Sequence, residues 1–178
     1  MMKCPKCKTP ELLPTMIEEG LPALGCAQCH GSLVSLLYYR HWAETQKSAS
    51  TAESKPNAIA TDDTATALTC PKCSRFMMKY KVSGAVANRL DVCGYCDEAW
   101  LDRGEWELLE ALHLSHRLPT IFTEQWQRRI RREMSEEGRR SILQRTIGTE
   151  GVAKVEAFRD WLAQSGHRAE VLTYLYRK

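Results

Sequence analysis

All eight cysteines of this chain fall in four Cys-x-x-Cys pairs: Cys4 and Cys7, Cys26 and Cys29, Cys70 and Cys73, Cys93 and Cys96. A pair at this spacing forms a tight knuckle that presents two thiolates from one backbone turn. Two facing knuckles complete a tetrahedral sulfur cage around one Zn²⁺ with no coordination position left open. Eighteen residues separate Cys7 from Cys26 and nineteen separate Cys73 from Cys93, enough in each half for a short antiparallel hairpin. The expectation is two zinc ions per chain, bound as structural metal. A closed four-thiolate site has no place for an activated water, so metal-assisted hydrolysis is not expected. The competing uses of such thiols are iron–sulfur binding and redox exchange, since Cys-Pro-Lys-Cys resembles the active-site turn of thiol–disulfide exchangers. There the motif opens a helix within a βαβ unit. Here the first copy runs into Thr9–Pro14, which contains two prolines, and the second into Ser74–Tyr80, which reads as a strand.

These pairs need elements to hold them. Asp102 and Glu105 have the spacing of a helix N-cap and its third-position partner, so a helix is expected to begin just after Asp102, with Trp100 and Leu101 as an apolar plug between ribbon and helix. The run Cys-Pro-Lys-Cys, Cys-Gly-Tyr-Cys, then Trp-Leu-Asp-Arg-Gly-Glu over residues 69–112 resembles the transcription factor IIB-type zinc-binding family of bacterial zinc ribbons. The resemblance implies Cys70, Cys73, Cys93 and Cys96 as ligands and Trp100, Leu101, Asp102, Gly104 and Glu105 as a structural tail. The chain departs from the family at Glu98, where a glycine is usual. The family name records likeness to a ribbon and does not establish a role in transcription.

Residues 1–46 repeat the design. The two halves align with an offset of 66 at the first knuckle and 67 at the second. The N-terminal copy has lost the tail, with Leu33, Val34, Ser35 and Leu37 at the places of Trp100, Leu101, Asp102 and Gly104, but keeps the glycine, Gly31. Its segment Leu33–Trp42 suits a helix too broadly apolar to stand in water, which must pack on the other ribbon, on the C-terminal helices or on a partner. None of the four knuckles has glycine after its second cysteine; Lys8, His30, Ser74 and Asp97 stand there instead.

Residues 47–68, rich in Ala, Ser and Thr with no aromatic residue, read as a flexible linker that lets the ribbons fold independently. Beyond the second ribbon the pattern is helical. One helix is expected from Glu105 to about Arg117, broken by Pro119, and a second from Thr123 to Ile147, stopped by Gly148. A third carries Val152, Val155, Phe158, Trp161 and Leu162, and a last short one follows Gly166. Net charge is only +3, against a generally nucleic-acid-binding surface. Lys3, Lys6, Lys8, Lys72, Arg75, Lys79 and Lys81 crowd the knuckles, where they offset the negative charge of a four-thiolate site more readily than they contact phosphate. Arg128, Arg129, Arg131, Arg132, Arg139, Arg140 and Arg145 alternate with glutamates as on a solvated helix face. His113 and His116, three apart, read as an ordinary helical pair. No apolar run reaches membrane-span length and the first residues lack a signal-peptide layout, so a cytoplasmic setting is expected.

The resulting expectation is a small metal-bound α+β protein: a degenerate ribbon with trailing helix (1–46), a linker (47–68), a second ribbon with a capped helix (69–118) and a C-terminal α-helical region (119–178). Its expected role is non-catalytic recognition, with protein rather than nucleic acid as the favoured partner and no membrane. The alternative is a redox-responsive zinc switch or thiol–disulfide chaperone that uses the same cysteine pairs.

Overall fold

The computed structural model describes residues 2–45 and 59–177, so residues 47–58 of the expected linker lie outside the described residues. The chain divides into two compact units, residues 1–131 and 132–178, and each is described by itself.

In the first unit, each repeat forms a three-stranded meander followed by a helix. The first copy contributes β1 (Leu13–Glu18), β2 (Leu21–Gly25), β3 (Ser32–Ser35) and α1 (Leu36–Thr45); the second contributes β4 (Met78–Lys81), β5 (Arg89–Cys93), β6 (Glu98–Leu101) and α2 (Glu105–Ala111). The two meanders do not stand apart on a tether. They join edge to edge as one antiparallel six-stranded sheet in the order β1-β2-β3-β6-β5-β4. Alone, each meander would leave the outer backbone N–H and C=O groups of β3 or β6 without partners, and pairing the two edges satisfies both rows. The register shows how the repeats meet. Leu33 lies opposite Trp100, its own counterpart at the offset of 67, with Val34 opposite Ala99 and Ser32 opposite Leu101. The seam is thus an antiparallel pair centred on a pseudo-two-fold axis, an intramolecular version of the self-complementary interface of a symmetric dimer. Trp100 and Leu101, expected as an apolar plug between ribbon and helix, are strand residues of this seam, and so are Leu33 to Ser35, expected as helix; α1 begins only at Leu36.

Strand alternation divides the two faces of the sheet between two tasks. Val34, Leu90, Val92, Ala99 and Leu101 face a core shared with Tyr39 and Trp42 of α1, Trp106 and Leu109 of α2, and Leu114, Leu118 and Ile121. Leu33 and Trp100 face the other way, into a cluster with Leu12, Leu68, Met77 and buried cysteines of both repeats. The apolar helix of the first repeat therefore packs on the second repeat's helical tail. Tyr39 accepts the Leu118 N–H at 3.0 Å and donates to the Ser115 carbonyl, Trp42 donates to the Glu19 carbonyl at 3.0 Å, and the Trp42 ring stacks on His116. Burial pushes the Tyr39 phenol up to about 12, which keeps it a neutral donor. Tyr39→Phe leaves a buried carbonyl and a buried N–H without this partner. We expect it to lower the unfolding free energy by about 1–3 kcal/mol, read from a urea titration.

The helix expected to run from Glu105 to Arg117 is shorter. His113 takes a left-handed φ of 56°, a 3₁₀ turn follows at Ser115–Arg117, and α3 (Leu118–Ile121) begins with Pro119 in its first turn. Pro119 thus starts a helix, where its missing N–H is harmless, instead of breaking one. α4 (Glu124–Gln164) opens as expected, with the Thr123 hydroxyl accepting the Trp126 N–H at 3.2 Å. In the second unit, Gly148 (φ 73°) interrupts α4, and Arg140 pairs with Glu156 at 2.8 Å across the break. Val152 and Leu162 are buried, whereas Phe158, Trp161 and the Tyr174, Leu175 and Tyr176 of α5 (Arg168–Tyr176) are exposed.

Candidate functional site

Each knuckle is built the same way. The N–H groups of Lys8, His30, Ser74 and Asp97 bond back to the carbonyls of Cys4, Cys26, Cys70 and Cys93 at 2.8–2.9 Å. Closing so tight a turn places the residue after the second cysteine in the left-handed region, and these residues have φ of 70°, 57°, 61° and 57°. A non-glycine residue seldom takes this conformation by itself. All four doing so at one knuckle position marks a turn imposed by its surroundings.

The knuckles bring the cysteines together in two sets, Cys4, Cys7, Cys26, Cys29 and Cys70, Cys73, Cys93, Cys96, with the sulfur atoms of each set within 4.8 Å of one another. Cys4 and Cys29 sulfurs lie 3.6 Å apart, as do those of Cys73 and Cys93. That is far beyond a disulfide bond. It is close to the edge of about 3.8 Å that four sulfurs about 2.3 Å from one zinc would span. The donor sets therefore fit a tetrahedral soft-metal site, one per repeat. Without metal the thiols of a set do not ionise together: burial pushes Cys7 and Cys29 up to about 11 and Cys96 up to about 12, whereas the Arg75 N–H pulls Cys73 down to about 7. Metal binding must then release protons, and affinity should fall as pH falls. No further group of three or more metal-ligating side chains occurs among the described residues, and His116 is engaged in stacking on Trp42.

Between the two sets lies Trp100, fully buried, in the cluster that holds Cys4, Cys26, Cys70 and Cys93. Its ring covers Gly31. A Cβ on Gly31 would collide with the Trp100 ring at Cζ2 and sit 2.9 Å from Cε2 and 3.1 Å from the Leu101 carbonyl. The glycine of the first repeat thus accommodates the tryptophan of the second. By the same offset Gly31 corresponds to Glu98, and Trp100 to the smaller Leu33. Glu98 is buried and paired with Lys72 at 2.9 Å.

The tail behind Trp100 departs in part from the expected cap. The Asp102 N–H does donate to Glu105 Oε2 at 2.8 Å, but the Asp102 carboxylate does not cap α2. Instead it accepts the Thr64 N–H (2.7 Å), the Trp100 indole N–H (3.1 Å) and Lys6 Nζ (3.3 Å). Gly104, at φ 81°, turns the chain into α2 and takes the N-cap position that spacing assigned to Asp102. Side chains at Gly104 are also excluded because a Cβ would strike the Ala60 carbonyl. Burial alone would raise Asp102, but the bonds from Thr64 and Trp100 and the charge of Lys6 hold it below its ordinary value. Residues 60–64, expected as linker, are tied down here: Asp62 N–H donates to the Arg103 carbonyl at 2.9 Å, and its carboxylate meets Lys6 and Arg103 at 3.2 Å each.

Glu105 is buried under this network. Burial pushes its carboxyl up to about 8, the neighbouring Asp102 charge adds to that, and hydrogen bonds from the Asp102 N–H and Asn88 act against it. The folded chain therefore holds a proton that the unfolded chain, near 4.5, gives up, so stability falls as pH rises between these values. Glu105→Gln has no proton to lose. The expected result is that the wild type loses about 2 kcal/mol relative to this variant between about pH 6 and about pH 8, measured by urea unfolding at each pH. Parallel pH profiles would sink the assignment.

The cations near the knuckles are largely spent inside the fold. Lys6 and Lys72 pair as above, Lys79 pairs with buried Asp91 at 2.7 Å, Lys81 donates to the Val86 carbonyl at 2.8 Å, and Arg75 lies over the Tyr95 ring. Along α4, Arg128 and Arg131 bond Glu124, and Arg129 lies over Trp126. The eight cysteines singled out from the sequence come together in two sets, whereas Lys6, Asp62 and Thr64 as neighbours of the Asp102 network carry no sequence signal. Lys6 and Asp102 are 96 residues apart, and no local pattern marks such a pair. No helix of the described residues is long and apolar enough to cross a membrane. Comparison with protein-family models, with curated proteins and with solved structures finds no match for this chain.

Proposed function

We propose that this chain is a non-catalytic zinc protein that holds one Zn²⁺ in each cysteine set and uses the resulting rigid sheet to present surfaces to a protein partner. The observation that carries it is the pair of four-sulfur sets at tetrahedral spacing, each on two left-handed knuckles. Four thiolates favour zinc over the harder divalent cations and leave no coordination position for a reacting water. The likeness of the second repeat to the transcription factor IIB-type ribbons supports the same metal, and thiolate ligation fits a reducing, cytoplasmic setting. A protein partner is favoured over nucleic acid because the basic side chains beside the knuckles are mostly committed to internal carboxylates and carbonyls. Large apolar and aromatic side chains are also exposed: Phe76, Met78 and Tyr95 in the second repeat, Phe158, Trp161 and Tyr174 in the second unit.

Elemental analysis of protein purified without added metal should find two zinc per chain; iron, or an absence of metal, would overturn the reading. Affinity capture of the full chain from its own lysate should retain protein partners after nuclease treatment. Loss of all partners on nuclease treatment would instead favour nucleic acid.

A further inference from the structure

The two cysteine sets are separate in composition but not in surroundings. Trp100 belongs to the strand that follows the second set, yet its ring rests on Gly31, two residues beyond Cys29 of the first. Lys6 lies between the ligands Cys4 and Cys7 of the first set, yet it bonds Asp102 and Asp62 beside the second repeat's tail at 3.3 and 3.2 Å. Asp102 in turn holds the Trp100 indole N–H. A closed loop of contacts therefore runs from the first knuckle through Lys6 to Asp102, on to Trp100, and back to Gly31 in the knuckle opposite. Lys6 of that loop sits in a knuckle turn, Trp100 in the β3–β6 seam, and Asp102 directly follows the seam strand.

We propose that the two sites bind metal cooperatively, occupancy of one raising the affinity of the other, through Trp100 on Gly31 and Lys6 on Asp102 and Asp62. The proposal rests on the metal-binding reading above. Its physical basis is shared ordering. A small ribbon orders its knuckles when metal binds, and the free energy of binding is partly consumed in that ordering. A metal in the first set fixes Lys6 and Gly31, which seat Asp102 and Trp100. Trp100 packs among Cys70 and Cys93, so part of the ordering needed at the second set is already complete when its metal arrives. By linkage the effect runs equally in the other direction.

The test uses the full chain, stripped of metal and kept reduced, titrated with Zn²⁺ against a chromophoric chelator. Three proteins are compared: the intact chain, Cys7→Ser/Cys29→Ser with only the second site, and Cys73→Ser/Cys96→Ser with only the first. The product of the two stepwise constants of the intact chain, divided by the product of the single-site constants, is the coupling factor. It does not require the sites to be alike. We expect at least about tenfold. A single-site variant that takes up no measurable zinc while the intact chain takes up two is the strong form of the same result. A factor within about twofold of one overturns cooperativity while leaving the metal reading intact. Failure of the intact chain to bind zinc overturns both. Lys6→Met keeps all eight ligands and should reduce the factor toward one, whereas Lys6→Arg should retain most of it. An unchanged factor in Lys6→Met overturns the assignment of the link to Lys6.

Discussion

Gly31→Ala is expected to destabilise the first unit by about 3 kcal/mol or more, although it adds a single methyl group. The added Cβ has nowhere to go. It meets the Trp100 ring on one side and the Leu101 carbonyl on the other, and both belong to the strand paired with β3. A flexible side chain could turn aside. A buried indole that donates to Asp102 cannot move without losing that bond and opening the seam. The measurement is urea unfolding of the metal-loaded chain, together with Trp100→Leu and the double variant. Trp100→Leu leaves a cavity and is costly by itself, on the order of 3 kcal/mol. It also vacates the space that the alanine methyl needs, so the double variant should be less destabilised than the sum by at least about 1 kcal/mol. Strict additivity would show that the two residues do not meet. Trp100→Ala should also speed metal loss to a chelator from both sites, since its ring covers cysteines of both repeats.

Cys96→Ser should unfold both repeats and not the second alone. Removing a ligand deprives the second set of its closed shell, and the free energy of metal binding is the main support of so small a ribbon. If the halves were joined only by a tether, the first would survive. Here β6 is the strand partner of β3 on that side, and the first repeat's Leu33 is buried in one cluster with Trp100. Tyr39 and Trp42 of α1 are covered by residues that follow β6. Amide spectra by NMR decide the matter: loss of the native signals of Cys4 to Cys29 together with those of Cys70 to Trp100 is the expected result. A first repeat that keeps its native spectrum in Cys96→Ser would show that the seam contributes little.

That the cysteines could form two metal-binding sets was legible in the residues because that signal is local. A Cys-x-x-Cys pair has one useful geometry, and four such pairs at matched separations leave little freedom in how they combine. The internal repeat, the strand after the second Cys-Pro-Lys-Cys, the Thr123 start of α4 and the break at Gly148 are also set by neighbours within a few residues. So is the reach of Glu105 back to the Asp102 N–H, which needs only a turn of the right length.

What the sequence could not decide was how the halves meet. Leu33 and Val34 open an apolar segment that a helix or a buried strand accommodates equally well, and pairing with β2 and β6 makes them part of β3. The same pairing determines which face Trp100 occupies. The Asp102 carboxylate illustrates the difference most plainly. By spacing it is a helix cap; in the folded chain Lys6 and Thr64, 96 and 38 residues away, supply donors that draw it across the seam. Ligand identity and knuckle shape follow from bonds closed within a few residues. Register, burial and the destination of a buried charge follow from contacts between residues far apart in the chain, and those exist only once the two repeats have joined.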